Sequence, residues 1–212
     1  MNTYFTTTIL GLFFASSICE SQFVPATMWR KKGNGYFVQT SAGTTGNLGG
    51  LAGADEFCLT DLQTYDWKGK AEAGTLTSSR VKAFLCDDTT CINPLPNTTY
   101  FFATSDYPTH GGASFTTDSN GRGPNDTNNW DAITHFGGAW YYWSGDRGNT
   151  SSTLWGTAPM ASGNSCSNWT AGASSDGGLG GAPTYQDGYR WNDSQLTACN
   201  QNFGLICMVH PQ

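Results

Sequence analysis

Seven cysteines, Cys19, Cys58, Cys86, Cys91, Cys166, Cys199 and Cys207, are the side chains best suited to chemistry in this sequence. No Cys-x-x-Cys occurs, so the spacing supports neither a zinc ribbon nor a redox motif. The chemistry that remains is oxidation to disulfides. Cys19 falls in a segment that reads as a cleaved leader, which leaves an even number. Cys86 and Cys91 end a short loop, and a local bridge there is the simplest pairing. It would pin a loop shape rather than add much through chain entropy. Spacing alone leaves the other pairings open.

Other reactive groups form no recognisable constellation. His110, His135 and His210 are scattered without metal-ligand spacing and read as surface or loop histidines. No Gly-x-Ser-x-Gly, phosphate loop or dinucleotide motif is present. Asp106, Asp118, Asp126 and Asp131 lie near a long polar stretch, where two carboxylates could act as a glycosidase pair. Loop aspartates are more often turn formers. No catalytic residue is assigned, and the chain does not read as an enzyme.

The aromatic set Trp130, Trp140, Tyr141, Tyr142, Trp143, Trp155 and Trp169 could hold a sugar-stacking platform, although most of these rings should fill the core. Trp140 and Tyr142 share one face of a strand and Tyr141 takes the other, so one face is expected to be open. Asn97, Asn125, Asn149, Asn168 and Asn192 each head an Asn-x-Ser/Thr sequon and are candidate glycosylation sites.

The elements that must position these groups can be read from composition and periodicity. A chain of 212 residues suits one domain with a proper core. Charged residues make only 12%, aromatics make 14% and there are 27 glycines, which excludes disorder and suits a loop-rich extracellular domain. A net charge of −6 argues against a nucleic-acid partner. Residues 1–21 read as a secretory signal, with the apolar centre Ile9 to Ala15 too short to span a bilayer. Residues 22–35 are a polar lead-in, and 36–212 form the domain. No other segment is apolar enough to cross a membrane, and export to the extracellular space is expected.

Tyr36 to Thr40 reads as the first strand. Ala54, Phe57, Cys58, Leu62 and Tyr65 form one stripe of a short helix, with Asp55 and Glu56 in its first turn. Arg80 to Cys86 alternates as a half-buried strand. Tyr100 to Ala103 is a further strand, Ser105 to Asn129 a long irregular excursion, Trp130 to Phe136 a helical turn, and Ala139 to Trp143 another strand. Gly172 to Gly188 reads as a second glycine-rich loop. Phe203 to Val209 is nearly continuously apolar, which predicts a strand covered on both faces.

Four segments together carry a resemblance: Gly50-Leu51-Ala52-Gly53-Ala54-Asp55-x-x-Cys58, Lys82-Ala83-Phe84-Leu85, Cys166-x-x-Trp169-Thr170 and Cys199-x7-Cys207. The chain resembles the endostatin-type branch of the C-type-lectin-like family over roughly Tyr36 to Val209. The resemblance implies an α+β fold with small, mostly antiparallel sheets, one or two short helices and long disulfide-held loops. It also implies nested bridges, Cys58 to Cys207 and Cys166 to Cys199, whereas Cys86 to Cys91 lies outside the family's nested set. Trp191-Asn192-Asp193 is similar to the calcium-binding block of sugar-binding lectins in the same superfamily. By that resemblance Asn192 and Asp193, with Asp187 from the preceding loop, are candidate ligand-binding residues beside Trp140 and Tyr142. Calcium needs six to eight oxygens and no Glu-Pro-Asn block supplies the rest, so no metal site is assigned. The function expected is a secreted, non-catalytic glycoprotein of adhesion, matrix or surface-structure type, meeting an extracellular protein, a glycan or copies of itself. A carbohydrate-binding lectin is the alternative.

Overall fold

The computed structural model describes residues 34–65, 67, 75–104, 114–121, 141–145, 165–173, 177–181 and 196–212. In chain order these form β1 (Asn34–Gln39), α1 (Gly50–Thr64), β2 (Val81–Ala83), β3 (Thr99–Thr104) and β4 (Ser114–Thr116). There follow β5 (Tyr142–Trp143), the single turn α2 (Cys166–Trp169), β6 (Gly177–Gly181), β7 (Leu196–Ala198) and β8 (Gly204–Val209). All lie within one compact unit, Lys31–Gln212. The expected signal at 1–21, Cys19, nearly all of the lead-in and the helical turn at Trp130 to Phe136 lie outside the described residues.

β8 is the hub, buried at all six positions as its apolar run predicts. β1 pairs antiparallel with it, Tyr36 opposite Val209 and Gln39 opposite Ile206. β2 lies antiparallel beside Cys207 to Val209, and β5 lies parallel beside Gly204 and Leu205. β3 runs parallel to β1, and β4 antiparallel to β3. β6 and β7 extend the other end antiparallel. The order is β4-β3-β1-β8-β5-β6-β7, with β2 joined to β8. Five of these seven pairings are antiparallel, so the fold is α+β with a small mixed sheet.

Alternation along the strands sends neighbouring side chains into two cores. Val38, Val81, Ala83, Leu85, Trp143, Leu205, Cys207 and Val209 join Ala54, Cys58 and Leu62 of α1 on one side. Phe37, Phe84, Tyr100, Phe115, Tyr142, Ile206 and Met208 fill the other. Burial of each large side chain stabilises by about 1.5–3 kcal/mol. The strand expected at Arg80 to Cys86 is confined to Val81–Ala83 and is half-buried there, Lys82 being partly exposed on its second face, but beyond its end that face is covered at Phe84. Its alternation is real, but Phe84 meets Phe37 at a ring separation of 4.6 Å instead of meeting water.

Two further expectations need correction. The helix begins at Gly50, so Asp55 and Glu56 lie beyond its first turn and do not act on its N-terminal amides. Asp55 instead leaves the helix sideways, accepting Lys82 Nζ and the Ala83 amide at 2.8 Å each, and so ties α1 to β2. Tyr65 sits at the helix end and is 47% exposed, while Asp61 joins the buried residues of α1. Its carboxylate accepts the amides of Ser41 and Ala42 at 3.1 and 2.9 Å, which pins the β1–α1 connection.

Strands also appear where loops were expected. β4 falls inside the excursion from Ser105, where Thr99 and Thr116 hydroxyls pair across it at 2.9 Å. β6, with sequence Gly-Gly-Leu-Gly-Gly, falls inside the second glycine-rich loop. Its composition disfavours a strand in isolation. Close approach explains it: a Cβ at Gly178 would collide with the Cys166 sulfur and the Trp143 ring, and one at Gly46 would collide with the same sulfur.

α2 is wound left-handed. Cys166, Ser167, Asn168 and Trp169 have φ of 51, 55, 56 and 61°. That conformation costs roughly 1–2 kcal/mol per non-glycine residue. Dense bonding holds it: the Cys166–Cys199 bridge, Trp169 Nε1 to the Cys86 carbonyl at 2.7 Å, and Ser165 Oγ to Asp88 at 2.6 Å.

Candidate interaction face

The three disulfides are the first part of the site to be in place. Cys58 on α1 joins Cys207 on β8, Cys166 joins Cys199, and Cys86 joins Cys91. The first two pairings are those implied by the family resemblance, and the third is the one inferred from proximity.

A run of four rings leads from the core to the surface. Trp169 and Trp143 are fully buried, with centroids 5.7 Å apart. Trp143 lies 4.6 Å from Phe203, and Phe203 stacks on Tyr141 at 5.4 Å with planes 28° apart. Tyr141 is 44% exposed. The backbone beneath is fixed by hydrogen bonds. Thr44 and Phe203 exchange N–H···O bonds of 2.7 and 2.9 Å, Gly204 donates to the Tyr141 carbonyl at 3.0 Å, and Trp143 Nε1 donates to the Thr44 carbonyl at 2.9 Å.

This geometry redistributes the aromatic set. Tyr142 was read as a ligand-facing ring, but it is fully buried beside Phe37 and Ile206, and a ligand would have to displace core packing to reach it. The open face belongs to Tyr141. Trp143 and Trp169 fill the core, as expected for most of the set. Trp130, Trp140, Trp155, Asp187, Asn192 and Asp193 lie outside the described residues. Phe203 was read only as the start of the last strand. Its pairing with Tyr141 depends on the parallel β5–β8 contact, which no local periodicity reports.

The described aspartates all serve as acceptors for the fold. Besides Asp55 and Asp61, Asp87 accepts the amides and hydroxyls of Thr89 and Thr90. Burial works against its ionisation, but these bonds outweigh it and hold the carboxyl below its ordinary range. Asp118 accepts the Asn120 amide at 2.8 Å, the turn-forming role expected of loop aspartates. Asp106, Asp126 and Asp131 lie outside the described residues. Among the described residues no three His, Cys, Asp or Glu side chains converge on a metal position.

His210 departs from its expected surface role. It is 9% exposed, and its Nδ1 lies 2.8 Å from the Tyr100 hydroxyl. His110 and His135 lie outside the described residues. Of the sequons, Asn97 and Asn168 are exposed, and Asn125, Asn149 and Asn192 fall outside the described residues. Asn168 Oδ1 accepts the Asp88 amide at 3.0 Å. No described helix is long and apolar enough to cross a membrane. Neither family models nor curated proteins give a match to this chain.

Proposed function

We propose that this protein is a secreted, non-catalytic glycoprotein of the endostatin-type C-type-lectin-like family, serving as an adhesion, matrix or surface-structure component through its loop face. The observation that carries this reading is the set of three disulfides bracing a small α+β core, an arrangement suited to an oxidising compartment. The partner is an extracellular protein, a glycan or further copies of the chain.

Expression of the full chain in a eukaryotic secretory host tests this. The protein should reach the medium with its leader removed, and its mass should fall on treatment with an N-glycosidase. Asn97→Gln and Asn168→Gln should each remove one glycan. Retention in the cytosol, or turnover of a glycan or peptide substrate by the purified, disulfide-intact protein, would overturn the reading.

A second reading, a carbohydrate-binding lectin, is favoured by the exposed Tyr141 ring stacked on Phe203. Binding to a glycan array with and without a chelator separates calcium-dependent from calcium-independent recognition.

A further inference from the structure

We infer that the Cys86–Cys91 bridge is a thiol-exchange site, opened by a small-molecule thiol at Cys91, and that its reduction slackens the left-handed turn α2 while the other two bridges stay closed. The inference goes beyond the function proposed above and does not depend on the identity of a partner.

Access singles out this bridge. Cys58, Cys207, Cys166 and Cys199 are fully buried, so a thiolate reaches their sulfurs only after the fold opens. Cys86 is buried too, but Cys91 is partly exposed and follows the exposed Thr89 and Thr90. An incoming thiolate therefore attacks the Cys91 sulfur. A mixed disulfide forms there, and the Cys86 sulfur leaves with the electron pair of the broken S–S bond and takes up a proton. A second thiolate then attacks the sulfur of the first thiol and releases Cys91 as a thiolate. Two thiols are oxidised to one disulfide as the bridge is reduced to two cysteines.

The loop that this bridge closes helps to hold α2. Ser165 Oγ donates to Asp88 Oδ1 at 2.6 Å, the Asp88 amide donates to Asn168 Oδ1 at 3.0 Å, and Trp169 Nε1 donates to the Cys86 carbonyl at 2.7 Å. The turn needs such partners, because four successive non-glycine residues sit at φ between 51 and 61°. Trp169 is also the innermost ring of the series that ends at Tyr141. With the bridge cut, only non-covalent contacts close the loop. Among them the Asp87 amide donates to the Thr90 carbonyl at 2.8 Å and the Ile92 amide to the Leu85 carbonyl at 3.0 Å. Each such bond is weak in net terms. The loop then opens more often and releases α2, while the same bonds bring the two sulfurs back together for reoxidation.

The test treats the full-length, disulfide-intact protein with reduced glutathione under native conditions, followed by alkylation and peptide mapping. Glutathione should be trapped on Cys91, and Cys86 and Cys91 should become alkylated about tenfold faster than the other four cysteines. Hydrogen exchange should then quicken about tenfold at the Trp169 and Thr170 amides, with α1 and β8 unchanged. Asp88→Ala with all bridges intact should quicken the same two amides, and reduction should add little more. Bridges that resist glutathione until denaturant is added, bridges lost together, or an adduct confined to Cys86 overturn the exchange site. Selective reduction that leaves the Trp169 and Thr170 amides as slow as before overturns the link to α2, as does an Asp88→Ala protein that exchanges like the parent.

Discussion

The hydroxyl of Tyr100, on β3, lies 2.8 Å from Nδ1 of His210, just beyond the end of β8. The Leu95 amide donates to the same oxygen at 2.9 Å, which leaves the phenol proton for the imidazole. With the phenol donating to Nδ1, both groups are satisfied by a neutral imidazole that carries its proton on Nε2. Burial lowers its pKa, the charges of Lys82 and Arg80 lower it further, Asp55 acts the other way, and the outcome is about 4. Burial pushes the Tyr100 phenol up to about 12, against the opposing Leu95 bond.

This pair sets a pH dependence. An unfolded histidine titrates near 6.5, so between that value and about 4 the unfolded chain binds the extra proton. Stability from this group is full above 6.5 and falls as pH drops toward 4, by up to about 3 kcal/mol. Urea unfolding across this range should show the slope, and His210→Gln should flatten it. An unchanged slope in the variant would refute the assignment.

Asp55 should matter more than the ion pair it makes with Lys82. Asp55→Ala leaves the buried Ala83 amide without its acceptor and should cost about 2 kcal/mol. Lys82→Met removes only a half-exposed charge and should cost less than about 1 kcal/mol. Equal losses in denaturant titrations would show that the charge, and not the amide, is what Asp55 serves.

The bridges should differ in worth. On the chain-entropy scale the Cys58–Cys207 link, spanning 149 residues, contributes about 5 kcal/mol, and the Cys86–Cys91 link, spanning 5, about 2. Paired Cys→Ala variants compared by thermal unfolding should follow that order. Peptide mapping without reductant should recover all three links.

The left-handed turn makes an unusual prediction for glycine. Ser167 is exposed with φ 55° and ψ 54°, so Ser167→Gly relieves its backbone strain at the cost of a more flexible unfolded chain. A net gain of about 0.5–1 kcal/mol is expected in chemical denaturation. Gly178→Ala should do the opposite and destabilise strongly, because its Cβ has no room against the Cys166 sulfur. Destabilisation by Ser167→Gly would show that the turn relies on the serine side chain.

Some of this architecture is written in local sequence. The apolar run from Gly204 to Val209 determines a strand covered on both sides, and the spacing of Ala54, Cys58 and Leu62 determines which helix face is buried. The five-residue separation of Cys86 and Cys91 is enough to suggest their bridge. These follow because period and proximity act within a few residues. Other features needed partners distant in the chain. A glycine-rich segment became β6 because a sulfur and an indole lie against Gly178. Asp55, Asp61 and His210 took buried roles because β2, the β1–α1 connection and Tyr100 reach them from elsewhere. Tyr141 rather than Tyr142 faces outward because β5 lies parallel to β8 with Phe203 alongside, and only tertiary contacts decide which side of a two-residue strand meets water.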